Sequence, residues 1–160
     1  MFPKTHVIVG IIASLAIFIL WPSISLFNLG IIFLSSVLID FDHYLYFIWT
    51  KSDFSLAHAY RWFVAKNKLM FSLPENERKK YKHVILLFHG IEFWLLIFLL
   101  SFLDKIFIWV LAGLAIHMFV DFAGVLYYKE PLYTKFSQIY VYLSNMSKKP
   151  LPSHFNKVIL

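Results

Sequence analysis

The sequence holds no cysteine. Disulfide frameworks, thiolate metal sites and cysteine nucleophiles are therefore excluded together. Glycine and proline are sparse, five and six in 160 residues, which leaves long stretches free of helix breakers. Charge is thin as well: 15% of residues are Asp, Glu, Lys or Arg, against 60% hydrophobic and 20% aromatic. Mean hydropathy is +0.70. A soluble core of this size cannot hide so much apolar surface, so the expected solvent is a lipid bilayer.

What is present is a series of apolar runs near the ~20 residues that a helix needs to cross ~30 Å of hydrocarbon. The reading is an all-α integral membrane protein, a four-transmembrane-helix bundle with cytoplasmic amphipathic helices. It forms a single membrane domain over 1–160, with spans at about 6–21, 26–49, 84–103 and 106–128. Trp21 and Pro22 close the first span, which is read as retained because only Lys4 precedes it and no small-x-small cleavage site follows. In the interfacial loop 51–82, Leu56, Tyr60, Phe63 and Val64 recur at helical spacing beside Arg61, Lys66 and Lys68, the pattern of a helix lying on the membrane. Phe136, Ile139, Tyr140, Leu143 and Met146 give the tail 131–160 a second amphipathic stripe.

Lys4, the 51–82 loop and the tail fall on one side of such a bundle, and only Lys105 falls on the other. The positive-inside rule then places both termini in the cytoplasm, at an inner or plasma membrane. The +6 net charge is read as contact with anionic headgroups of membrane lipids, and no nucleic acid is expected. A homo-oligomer is compatible with so small a bundle.

Ionisable side chains at mid-bilayer cost about 2.5 to 3.5 kcal/mol each and usually face a partner or a cavity. Asp40 and His43 are three residues apart, as are His89 and Glu92, and His117 and Asp121 are four apart, so each pair shares a helix face. Counted inward from Lys51, Lys82 and Lys129 at 1.5 Å per residue, His43, His89 and Asp121 reach a common depth of about 10 to 12 Å. Asp40 and His117 lie about one turn deeper, Glu92 between, and His6 at the cytoplasmic mouth of the first helix. With no Lys or Arg inside the spans to balance the acids, the set reads as a metal site.

The expected ligands are His6, Asp40, Asp42, His43, His89, Glu92, His117 and Asp121, with His83 as an additional candidate at the membrane edge. Imidazole mixed with carboxylate suits a divalent metal, zinc first, with manganese or iron as alternatives, and one to three ions. Glu92 or Asp40 is the candidate general base. His58, His154, Asp53, Glu75, Glu77 and Glu130 are read as solvated.

The run Leu38-Ile39-Asp40-Phe41-Asp42-His43, the early Thr5-His6, the middle Phe88-His89-Gly90-Ile91-Glu92 and the late His117-Met118-Phe119-Val120-Asp121 together resemble the YdjM-type membrane-bound metal-dependent hydrolases. On that resemblance Asp40, Asp42 and His43 are the Asp-x-Asp-His ligands, and His117 with Asp121 is the late pair. In the middle motif, Glu92 stands where the family usually has a second histidine. The family is similar in motif logic to zinc-dependent phospholipases C and the nucleases related to them.

The function implied is hydrolysis of a phosphate ester or phospholipid from the cytoplasmic leaflet by a metal-activated water. The alternative is a non-catalytic metal-binding protein or a metal or proton transporter. A carrier needs polar access from both faces, whereas the outer halves of the spans hold little beyond Ser14, Ser35 and Ser36. A haem bundle ligated by His43, His89 or His117 is disfavoured by the acids beside each histidine. His-Glu-x-x-His and Gly-x-Ser-x-Gly, the marks of zincin proteases and α/β-hydrolases, are both missing.

Overall fold

The computed structural model describes residues 3–150; His154 and the rest of the tail from Leu151 lie outside the described residues. The described chain is all helix apart from turns, loops and one isolated bridge. In chain order the helices are α1 (Pro3–Leu20), α2 (Leu26–Leu38), α3 (Phe41–Lys51), α4 (Leu56–Ser72), α5 (Glu75–Arg78), α6 (Ile91–Leu100), α7 (Ile106–Tyr127), α8 (Tyr133–Phe136) and α9 (Gln138–Asn145).

Four spans were expected, and two helical stretches are long and apolar enough to cross a membrane by length and composition. One is Leu26–Lys51, formed by α2 and α3 in near continuity, and the other is α7. At 1.5 Å per residue these reach about 39 Å and about 33 Å. The first helix, although apolar, is a little short, and α6 covers only 10 residues of the expected 84–103 span. Residues 84–90 are not helical because side chains from elsewhere take over their backbone groups. Gln138 Oε1 accepts the Leu86 N–H at 2.8 Å, and Asp42 Oδ2 accepts the Phe88 N–H at 2.9 Å. An apolar run satisfied in that way needs no helix.

α1, α2 and α7 pack on one another, with α6 against α7. Small residues allow the close approach. A Cβ on Gly113 of α7 would collide with Ser35 Oγ and the Ile32 carbonyl oxygen of α2, and one on Gly10 of α1 would sit 2.6 Å from Ser36 Oγ. Ile39, Ile97 and Leu114 form the apolar centre of the α2, α6 and α7 contact.

The polarity of the fold is inverted. Ile12, Leu15, Ile19, Leu34, Leu96 and Phe119 are exposed, while His6, Asp42, His89, His117 and Asp121 are buried. Exposed apolar area on this scale is rare in water-soluble monomers and ordinary for a lipid-facing surface.

Outside this bundle, α4 packs on α3 through Phe47, Ala59 and Trp62. Ser55 caps α4, its side chain accepting the His58 N–H. The tail folds back on the 80–90 segment. Lys82 and Lys149 donate backbone N–H groups to Lys149 and Lys80 carbonyls, each at 2.9 Å, and the Asn145 side chain pairs with both backbone groups of His83.

Candidate metal centre

The side chains of the centre come from four places in the chain. His6 stands near the start of α1. Asp40, Asp42 and His43 lie at the α2–α3 junction, His89 on the loop before α6, and His117 and Asp121 one turn apart on α7. At the junction the hydrogen bonds tighten to i→i+3 spacing, Asp42 N–H to Ile39 O and His43 N–H to Asp40 O, which turns this segment inward.

His117 Nδ1 lies 2.9 Å from the Ser36 carbonyl oxygen, one of the unsatisfied carbonyls that end α2. A ring nitrogen facing a carbonyl must be the N–H donor, so the lone pair of His117 is on Nε2. His89 is fixed in the same sense: its Nδ1 donates to Asp42 Oδ2 at 2.9 Å. The two Nε2 atoms point at each other across 3.2 Å. Asp40 Oδ1 lies 3.4 Å from His89 Nε2 and 3.6 Å from His117 Nε2, and Asp121 Oδ2 lies at the same two distances.

These spacings fit a shared ion. Four donors arranged tetrahedrally at the usual 2.0 to 2.1 Å from zinc stand about 3.3 to 3.4 Å from one another. His89, His117 and Asp121 are all buried, and their donor atoms together can hold a metal ion; so can those of His6, Asp40 and His117, and of Asp40, His43 and His89.

The second oxygens of the two carboxylates face His6. Its Nε2 is 3.4 Å from Asp121 Oδ1 and 3.8 Å from Asp40 Oδ2, and its ring stacks on His117 at 3.9 Å. Both ring nitrogens of His6 and Asp40 Oδ2 are buried without a protein hydrogen-bond partner, a costly state that a cation between them would relieve. Asp40 and Asp121 thus present one oxygen toward the His89–His117 pair and the other toward His6.

Asp42, read from the sequence as a ligand, stands behind the imidazoles of His43 and His89. It accepts from His89 Nδ1, from the Phe88 N–H and, through Oδ1 at 3.1 Å, from His43 Nδ1. That is the carboxylate–histidine arrangement which orients metal-binding imidazoles. Glu92 is not brought into the cluster. Its carboxylate accepts from Ser137 Oγ and from the Gln138 and Ile139 N–H groups, closing the start of α9, so it is not in position to act as a base there. His83 is also apart, near Glu130 at 3.9 Å. The solvated reading fails for Glu130, which pairs with Arg78 at 3.3 Å, and His58 is bonded to Asp53 at 2.6 Å.

One participant was missed. Lys135 of α8 reaches Asp121 Oδ2 at 2.6 Å, so the acids are not without a protein cation. The signal was present in the tail: Thr134, Gln138, Val141 and Asn145 recur every three or four residues on the buried face, while Phe136, Ile139, Tyr140, Leu143 and Met146 are exposed. In a chain with a polar interior, the polar stripe of an amphipathic helix faces inward.

A cavity of 330 Å³ leads to the centre, with Asp40, His43, Asp121 and Lys135 in its wall and α4 along one side. Farther out, burial pushes Lys66 down to about 8 despite the nearby Glu130, and burial with Lys148 and Lys66 nearby holds His83 at about 4. Comparison of the chain with family models, curated proteins and solved structures finds no match.

Proposed function

We propose that this protein is a membrane-embedded, metal-dependent hydrolase acting on a phosphate ester carried by a cytoplasmic-leaflet lipid. The convergence of His89, His117, Asp40 and Asp121 donor atoms at ligand-to-ligand spacing, beside a ligand-sized cavity, carries this reading. The resemblance to the YdjM-type hydrolases and the inverted polarity of the fold support it. So do the two helical stretches, Leu26–Lys51 and α7, that are long and apolar enough to cross a bilayer.

Zinc is the metal best suited to two imidazoles and two carboxylates; His89, His117, Asp40 and Asp121 would hold it, with His6 beside them. Bound there, it would supply a water of lowered pKa and polarise the phosphoryl oxygen. Asp40 lines the cavity and stands where a carboxylate can take the proton of an attacking water. His43, held at Nδ1 by Asp42 and half-buried in the cavity wall, is placed to return a proton to the leaving group. Lys135, beside Asp121, fixes that carboxylate and adds positive charge where phosphoryl charge would develop.

Elemental analysis of protein purified without chelator should find one or two divalent ions per chain, lost in Asp40→Ala and in His117→Ala. The metal-loaded protein should hydrolyse members of a lipid phosphomonoester and phosphodiester panel. Full metal retention in both variants, or a loaded protein inert on the whole panel, would overturn the proposal.

A further inference from the structure

The cavity wall is chemically divided. At its inner end stand the acids and imidazoles of the centre. α4 contributes Phe63, Val64, Met70 and Phe71, and Val125 of α7 and Tyr128 just beyond it, whose ring stacks on Phe71, complete an apolar slot. The same wall also carries Lys66, Lys82 and Lys135. These ammonium groups differ in how far they are already engaged. Lys135 is held by Asp121. Glu130, which among the described residues is the one carboxylate in the wall besides Asp40 and Asp121, is held by Arg78 at 3.3 Å. Among the described residues no carboxylate lies within ion-pair distance of Lys66 or Lys82; Lys66 rests over the Trp62 ring, 5.5 Å from its centroid. Lys66 and Lys82 thus stand in the same wall as the apolar side chains without a carboxylate at ion-pair distance, and Lys66, with Glu130 farther off, is partly withdrawn from water.

We infer that Lys66 and Lys82 form an anion subsite that selects an amphiphile with a net-negative phosphate headgroup and a single apolar chain. This rests on the hydrolase reading and names the substrate class of that site. The chain lies along α4 and α7, and the headgroup sits between the two lysines and the centre. A zwitterionic choline headgroup would set a quaternary ammonium against Lys66 and Lys82, and like-charge placement discriminates against a ligand. Inorganic phosphate would satisfy the lysines but leave the slot unused.

The probes are octyl phosphate, octylphosphocholine and inorganic phosphate, titrated below micelle formation against full-length protein in nanodiscs, with metal content measured on the same samples. Octyl phosphate should bind at least about tenfold more tightly than either of the others. Lys66→Gln and Lys82→Gln should each weaken it about fivefold, as expected for about 1 kcal/mol per interfacial lysine. Octylphosphocholine binding should be unchanged in both. Tyr60→Ser, on α4 in the cavity wall, should weaken both octyl compounds alike and leave phosphate untouched.

Equal binding of the two octyl compounds, or octyl phosphate binding indifferent to both lysine substitutions, overturns the inference, as does inorganic phosphate binding as well as octyl phosphate. A chain that holds no metal yet shows the lysine-dependent preference refutes the hydrolase reading and supports the subsite. A chain that holds metal without the preference does the reverse.

Discussion

Asp42→Asn separates a ligand from a residue that orients ligands. In the native site Asp42 accepts three N–H groups, from Phe88 at 2.9 Å, His89 at 2.9 Å and His43 at 3.1 Å. Asparagine is nearly the same size but keeps one acceptor oxygen, and its amide nitrogen can only donate. With the oxygen turned toward Phe88 and His89, the amide faces His43 Nδ1, which must then become an acceptor. With the amide turned the other way, the Phe88 and His89 donors are left facing a donor. Either choice loosens one imidazole without removing a metal-binding atom. Losses of this kind lower metal affinity about 10- to 100-fold, or about 1.4 to 2.7 kcal/mol.

Asp40→Asn is the matched comparison. Asp40 Oδ1 lies beside His89 and His117, and Oδ2 faces His6, so this substitution removes ligand charge from both parts of the centre and should cost more than the upper end of that range. Zinc affinity would be read by competition with a chelating indicator in detergent, with helix content checked by circular dichroism. If Asp42→Asn lost metal as completely as Asp40→Asn, Asp42 would be a ligand; if it matched the unsubstituted protein, its hold on His89 would be irrelevant. Either result would refute the division of roles drawn from the geometry.

Gly113→Ala should lower stability by about 1 to 3 kcal/mol, because its Cβ meets Ser35 and the Ile32 carbonyl, whereas Gly30→Ala, with nothing within 4 Å, should be neutral or stabilising in a thermal melt. Glu92→Gln should cost about 1 kcal/mol through the start of α9 and leave metal content unchanged; loss of metal would return Glu92 to the site. His83 is held at about 4 against its ordinary 6.5, so between those values the unfolded chain binds more protons and stability falls as pH drops from 6.5 toward 4. Melting curves at pH 7.5 and pH 5 should differ less in His83→Gln than in the unsubstituted protein, and equal slopes would dismiss His83 as a source of that loss.

The residues of the candidate centre were legible because an ionisable residue in an apolar run is conspicuous, and because helix rise alone puts His43, His89 and Asp121 at one depth. That count assumed His89 lay on a continuous helix. It lies instead on a loop, where the Asp42 and Gln138 side chains stand in for helical hydrogen bonds, and hydropathy carries no record of such long-range partners. Lys135 was hidden for a related reason. The chain reverses after α7 through Lys129 at φ 52° and a Glu130 N–H to Val125 O bond, so a residue counted into the tail comes back to the centre of the fold. Glu92 was misplaced because helical spacing from His89 presupposed a shared helix, whereas Gly90 caps α6 between them.

The inverted polarity ties the centre to the surrounding fold. Apolar contact gives little drive to bring helices together when lipid is as apolar as their side chains, so close packing and polar bonds must hold the bundle. Here the polar bonds run through the candidate centre: Ser36 of α2 to His117 of α7, Asp42 of α3 to His89 of the loop, and Lys135 of α8 to Asp121 of α7. Two buried carboxylates, Asp42 and Asp121, and the partly buried Asp40 meet one lysine there, and charge at low dielectric is costly unless balanced. A divalent ion at this point would offset the remaining negative charge and also join four chain segments that lipid gives little reason to associate. Such an ion would serve the fold as well as the proposed chemistry, and α1, α2 and α7 around the candidate centre are the helices whose contacts the glycines at 10 and 113 keep close.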